Sequence, residues 1–245
     1  MQEFFKKYGF KIGRDEFFEL LREHQLLIRR RQSRKPRTTF SSHWLRKYPN
    51  LVVDLVIDRP NQVWVSDITY IVVGAGFGYL FLLTDAYSRK IIGYGIESSL
   101  SAEGASKALK MALRQKPATA QTIHHSDRGV QYCCWDYIHL LTESKIGISM
   151  TQNSDPRENA IAERVNGILK QELLEKSYGS IEEAKVHLPK VISIYNVERP
   201  HSSLDFMTPS VAHTQEGVLK RRWKSYPYKP IKPDKVQNDS SGSAT

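Results

Sequence analysis

Three acidic residues in this 245-residue chain have settings that could support chemistry: Asp67, Asp127 and Glu163. Asp67 lies among β-branched and aromatic residues between Trp64 and Tyr70, where an acid opposes strand propensity and would be costly to bury unpaired. Asp127 closes the stretch His124, His125, Ser126 and is followed by Arg128 and Gly129, a residue that lets the backbone turn. Strand ends of this kind are where α/β sheets gather their ligands. Glu163 stands near the start of a helical stretch. At about 100° per residue, Asn159, Asn166 and Lys170 fall within about 60° of it, with Ile161, Val165 and Ile168 opposite. Three carboxylates from two strands and a helix suit a hard divalent cation, Mg²⁺ or Mn²⁺, bound with substrate phosphates. Two such ions about 3.5–4 Å apart can activate an attacking oxygen and stabilise a leaving one in phosphoryl transfer. Lys170, two turns or about 10 Å along the helix, is too far to be a ligand but could hold DNA passing over the metals. Each residue alone also has a plainer reading: an exposed strand face for Asp67, a turn or helix cap for Asp127, and a solvated helix face around Glu163.

The elements that must position them can be read from periodicity. Helical spacing predicts helices over 1–10 and 15–27, joined by a turn at Gly13. Strands are predicted over 63–73, 79–84 and 90–96, with a turn at 74–78, forming an antiparallel meander. An amphipathic helix over 102–116 follows, then a strand over 122–125, a helix over 131–144 and a strand over 146–150. A polar loop at 152–158 leads into a long helix over 158–176 and another over 181–195. The order βββαβαβα predicts a mixed α/β sheet with the meander at one edge.

The charge of +10 is unevenly spread. Residues 1–50 hold 13 basic and 5 acidic side chains, residues 51–150 hold 9 of each, and residues 201–245 hold 7 basic and 4 acidic. A neutral centre between basic arms points to a polyanionic partner gripped by the ends. The densest run, Arg29, Arg30, Arg31, Arg34, Lys35 and Arg37, reads as an extended connector that contacts phosphate. Adjacent Cys133 and Cys134 can build neither a disulfide framework nor a cysteine-rich zinc site, which suits a reducing cytoplasmic compartment. The longest uncharged run, 17 residues over 68–84, is broken by Gly74, Gly76 and Gly78, so no membrane span is expected. The first 14 residues lack the apolar region of a secretory leader.

Asp67, Asp127 and Glu163, the last two separated by 35 residues, resemble the D,D-35-E triad of retroviral integrases and insertion-sequence transposases. The surrounding words narrow the resemblance: Trp64, Asp67, Thr69 and Tyr70; His125, Ser126, Asp127, Gly129, Gln131 and Tyr132; Asn159, Ala160 and Glu163; Lys170; then Tyr195, Asn196, Arg199, Pro200, His201 and Leu204, with Thr208 and Pro209. In order and spacing they resemble the second-frame transposase of bacterial insertion sequences, over about residues 10–212. Glu158 and Arg164 stand where that family usually has Asp and Ser.

The resemblance implies an RNase H-like five-stranded sheet flanked by helices, with Asp67, Asp127 and Glu163 holding two Mg²⁺ or Mn²⁺ ions. It implies cleavage at an element's ends and strand transfer by 3′-hydroxyl attack, with no covalent protein–DNA intermediate. Expected DNA contacts are Lys170, Asn159 and Asn166 beside the metals and Arg29, Arg30, Arg31, Arg34, Lys35 and Arg37 in the basic arm. Expected partners are the element ends and target DNA, further copies of the chain on DNA, and a protein from the upstream frame, at the bacterial nucleoid. The expected organisation is a partial helix-turn-helix-like region over 1–35, a basic linker over 36–58, a catalytic core over 59–205, and a basic tail over 206–245 that ends disordered. Two rivals are a plain RNase H-type nuclease and a non-catalytic DNA-binding regulator of a full-length transposase.

Overall fold

A computed structural model describes residues 9, 12–27, 43–152 and 159–219. All but residue 9 of the predicted helix over 1–10, the basic run 29–37, the loop residues 153–158 and the tail from 220 onward lie outside the described residues.

The mixed sheet is present, in the order β3-β2-β1-β4-β5. β1 (Val63–Val73), β2 (Gly76–Asp85) and β3 (Ile91–Glu97) form the antiparallel meander. β4 (Ile123–Ser126) and β5 (Gly147–Met150) extend it in parallel from β1. Burial on both faces explains the continuous apolar character of these strands. One face packs Trp64, Ile68, Phe81, Leu83 and Ile92 under α2 (Ala102–Leu113), α3 (Val130–Cys133) and α4 (Trp135–Glu143). The other packs Ile71, Leu80, Leu82 and Ile96 under α5 (Ala160–Ile168) and α6 (Ile181–Ser193). Gly93 permits the approach of α2, because a Cβ there would collide with the Ala108 carbonyl.

Four elements differ from the sequence reading. The helix over 15–27 is α1 (Arg14–Glu23), which buries Phe17 and Leu21. The helix over 131–144 is two helices, because Cys134 adopts an extended backbone between them. The helix over 158–176 stops being α-helical at Ile168; Leu169–Leu173 form a π-helical turn, closed by Leu174 N–H donating to the Leu169 carbonyl at 2.8 Å. The wider turn admits both Ile168 and Leu169 to the core and shifts every later side chain from the position a 3.6-residue period gives. Finally, the described part of the linker is fastened to the sheet. Leu45 and Tyr48 pack on one core, and Val52, Leu55 and Ile57 on a small cluster with Val63, Val65 and Ala162.

The segment after α6 is fastened as well. A second π-helical turn, Ile194–Glu198, carries Asn196, whose amide accepts from Ile91 N–H and donates to the Ile91 carbonyl, both at 2.9 Å. Arg199 forks onto Glu172 in the first π-helical turn at 2.7 and 2.8 Å. Tyr195 and His201 share a buried hydrogen bond of 3.0 Å. Beyond 205, α7 (Pro209–Ala212) leads to Gly217, whose N–H donates to the Asp58 carbonyl and whose own carbonyl accepts from Tyr87. No helix among the described residues is long and apolar enough to cross a membrane.

Candidate active site

Parallel pairing of β1 with β4 sets two of the three carboxylates level. Val65 pairs with His125, so Asp67 and Asp127 each lie two residues beyond the same rung. Alternation turns Asp67 toward the α5 face, away from Trp64 and Ile68. Asp127 follows the last residue of β4, and its Oδ1 accepts from Gly129 N–H at 2.9 Å. A Cβ at Gly129 would lie 2.9 Å from that oxygen, so a larger residue there would have to displace the Asp127 carboxylate.

α5 carries Glu163 across β1 between two amide anchors. Asn159 donates to the Ser66 carbonyl at 3.0 Å, and Asn166 donates to Asp67 Oδ2 at 2.6 Å. Both asparagines are buried, with their side-chain N–H groups on β1, whereas the sequence reading set them on a DNA-facing surface with Glu163. Helical periodicity identifies residues that share a face, and here that face turns partly into the protein. Glu163 itself is exposed.

Burial pushes the Asp67 carboxyl up to about 7, and the charges of Asp127 and Glu163 push the same way against the hydrogen bond from Asn166. A partly sheltered acid beside two like charges is held near neutrality, and a cation among them would restore its ionised form. The donor set is therefore all oxygen and fits Mg²⁺ or Mn²⁺. Among the described residues, no three His, Cys, Asp or Glu side chains already stand in metal-ligand geometry.

Beneath the carboxylates lies a buried polar floor. His124 Nε2 meets both the Ser66 hydroxyl at 2.7 Å and the Tyr137 hydroxyl at 2.9 Å. Burial, helped by neighbouring His125, holds its imidazole down to about 3, so it is neutral at ordinary pH. His125 meets the Ser149 hydroxyl at 2.9 Å, joining β4 to β5. Lys170, in the π-helical turn, places its Nζ 3.7 Å from the ring centre of Tyr70, three residues along β1 from Asp67. Tyr70 in turn meets Phe77 edge-on. Sequence reasoning missed the His124 floor and the 43–51 segment, where only the spacing of Leu45 and Tyr48 hints at a packed face.

The chain also matches known proteins in sequence and fold. The integrase core domain family matches residues 57–156, and a second integrase core domain description matches residues 144–209. A 31 kDa protein of insertion element IS600 from Shigella sonnei is 38% identical over 206 residues, covering 82% of this chain and 75% of that protein. The chain belongs to the DDE transposase and integrase superfamily. Within that superfamily, the transposase of insertion sequence element IS629 from Shigella sonnei is 30% identical over 182 residues, covering 74% of this chain and 61% of the relative. Transposase InsF of insertion sequence IS3A from Escherichia coli is 34% identical over 149 residues. The chain spans 52% of that transposase's length, with 60% of its own residues matched. A chain of the simian T-cell lymphotropic virus intasome, solved with the PP2A regulatory subunit B56 gamma, shares the fold. Its TM-score is 0.56 at 18% identity, over 80% of this chain and 66% of that one.

Proposed function

We propose that this superfamily member is a DNA transposase that cuts at the ends of its insertion sequence and joins the freed 3′-hydroxyl to another phosphodiester. The observation that carries the proposal is the placement of Asp67 and Asp127 level on two adjacent parallel strands, with the helix bearing Glu163 pinned to the Ser66 carbonyl and to Asp67 by Asn159 and Asn166. The reaction is a direct displacement. The 3′-hydroxyl oxygen bonds to phosphorus as it loses its proton, and the existing P–O3′ bond breaks as its oxygen is protonated.

Asp67, Asp127 and Glu163 would hold Mg²⁺ or Mn²⁺. Bound there, two ions would supply Lewis-acid activation of the attacking oxygen and charge neutralisation at the leaving one. Asn166 fixes the orientation of Asp67, and Asn159 fixes the start of α5, so Glu163 reaches the site from a pinned helix. Lys170 supplies positive charge for the strand beyond Tyr70. Ser126 and Tyr132 are buried and serve the scaffold rather than acting as nucleophiles. The partners in this reading are the element ends, target DNA and further copies of the chain.

Incubating the full chain with labelled end-sequence DNA and Mg²⁺ or Mn²⁺ tests the reading. Strand transfer to a second DNA is the expected outcome. Hydrolysis without joining would make it a nuclease, and metal-independent binding without chemistry a regulator.

A further inference from the structure

Residues 43–51 bind the core beside Asp127. The His43 ring N–H donates to the Arg128 carbonyl at 2.8 Å. Leu51 N–H donates to Ser149 Oγ at 2.9 Å, and Met150 N–H donates to the Pro49 carbonyl at 3.3 Å. Leu45 and Tyr48 turn inward against the core, which leaves Trp44, Arg46 and Lys47 turned out. Burial pushes the Cys133 thiol up to about 11, Asp127 adds to the rise, and Lys47 and Arg128 oppose it.

Trp44 is 92% exposed, one residue from the tether to Arg128. Trp135 is 73% exposed, but its ring is stacked on His139, 4.7 Å between centres and 17° from parallel. Scattered apolar side chains on a surface need no explanation. An exposed indole on a segment tethered to Arg128, the residue after Asp127, with Arg46 and Lys47 two and three residues further on, has the composition of a base-stacking surface. Single-stranded nucleic acid is bound by aromatic rings that stack bases and cations that follow the backbone. A base-paired duplex hides its ring faces in the stack, and a second copy pairing through this same patch would bring Arg46 and Lys47 against like charges.

We propose that Trp44 is a stacking platform for an unpaired nucleobase of the DNA strand entering at Asp127, with Arg46 and Lys47 on the adjoining phosphates. The proposal rests on the DNA-joining reading and adds to it a subsite for single-stranded DNA. Melting or fraying at the end being cut would supply the unpaired base.

The test uses the full chain, Trp44→Ala, Trp44→Phe and Trp135→Ala. Each is titrated into a short single-stranded oligonucleotide carrying 2-aminopurine and into a blunt duplex of equal length. Trp44→Ala is expected to weaken single-strand binding about 5- to 150-fold, the range for one stacked base. Trp44→Phe should keep most of the affinity, and duplex binding should barely change. The salt dependence of Trp44→Ala should stay unchanged, because no phosphate contact is lost, whereas Lys47→Ala should reduce the slope by about 0.7. Equal single-strand affinity for Trp44→Ala and the unaltered chain overturns the platform, and continued joining of end-sequence DNA leaves the wider reading standing. An equal loss in Trp135→Ala, or a change in self-association by light scattering with DNA affinity intact, also overturns it. Failure of the unaltered chain to bind any DNA overturns both.

Discussion

Asn166 donates a 2.6 Å hydrogen bond to Asp67 Oδ2, tying α5 to the middle of β1 at the residue most crowded by like charge. The bond lowers the Asp67 carboxyl while burial, Asp127 and Glu163 raise it. Asn166→Ala should therefore push that carboxyl further up and destabilise the protein by about 1–3 kcal/mol, the loss of a hydrogen bond to a charged group. Carbon-13 NMR titration of the aspartates and urea denaturation measure the two effects. An Asp67 titration identical in both proteins would mean that the bond is not made in solution.

A second expectation concerns pH. Folding raises the Asp67 carboxyl from 3.8 to about 7, so between those values the folded state holds a proton that the unfolded chain releases. This group's contribution to stability is then present below pH 3.8 and is lost as pH rises to about 7. Asp67→Asn removes the charge and keeps the shape. In metal-free buffer it should flatten that decline and be as stable as the unaltered chain, or more so, above about pH 7. Mg²⁺ should raise the melting temperature of the unaltered chain there and leave Asp67→Asn unmoved, because a ligand stabilises only the state it binds. Joining should be abolished. Parallel pH profiles for the two proteins would remove Asp67 as the source.

The sheet was legible because its signals are local: β-branched and aromatic residues between Val63 and Val73, Gly74 at the turn, and Asp127 at a strand end. Asp67 and Asp127 could be named from type and setting, and parallel pairing then puts them level. Other inferences needed the tertiary surroundings. The helical wheel set Lys170 with Glu163, and the wheel could not show that Lys170 Nζ rests over the Tyr70 ring from a π-helical turn. It grouped Asn159 and Asn166 correctly and misjudged their surroundings, since a crossing helix buries amides that a solvated one would expose. The 43–51 segment offers only the spacing of Leu45 and Tyr48, inside a stretch that reads as a basic linker over 36–58. Its packing depends on Ser149, His125 and Arg128, about a hundred residues away in sequence.

The words from Tyr195 to Leu204 do structural work, which makes a stability prediction. Asn196 satisfies both backbone polar groups of Ile91, buried at the start of β3. Asn196→Ala leaves both unpaired, at about 1–3 kcal/mol each. Asn196→Asp keeps the acceptor and loses the donor, and should be intermediate if its charge is tolerated. Arg199→Lys loses the fork onto Glu172 but sits near the surface, so its effect should stay below about 1 kcal/mol. Urea denaturation should rank Asn196→Ala as the most damaging of the three. Equal, small losses would mean that neither contact holds the segment.

Lys170 decides whether the Tyr70 region beside Asp67 engages DNA. Its Nζ lies over the Tyr70 ring at 3.7 Å, and a partly exposed cation–ring contact contributes about 0.5–1 kcal/mol. Removing it should therefore change stability little. Lys170→Glu should nonetheless cut joining of end-sequence DNA severely, because it sets a negative charge where a phosphate would pass. Lys170→Arg keeps charge and ring stacking and should retain part of the activity. Tyr70→Leu keeps the cation but removes its seat, and should fall between the two. Lys176→Glu, six residues further along the chain and exposed, controls for general loss of positive charge. If Lys170→Glu and Lys176→Glu have equally mild effects on joining, Lys170 is an ordinary surface residue resting on a tyrosine. If only Lys170→Glu is severe, with its melting temperature unchanged, the π-helical turn aims this cation at the strand being joined.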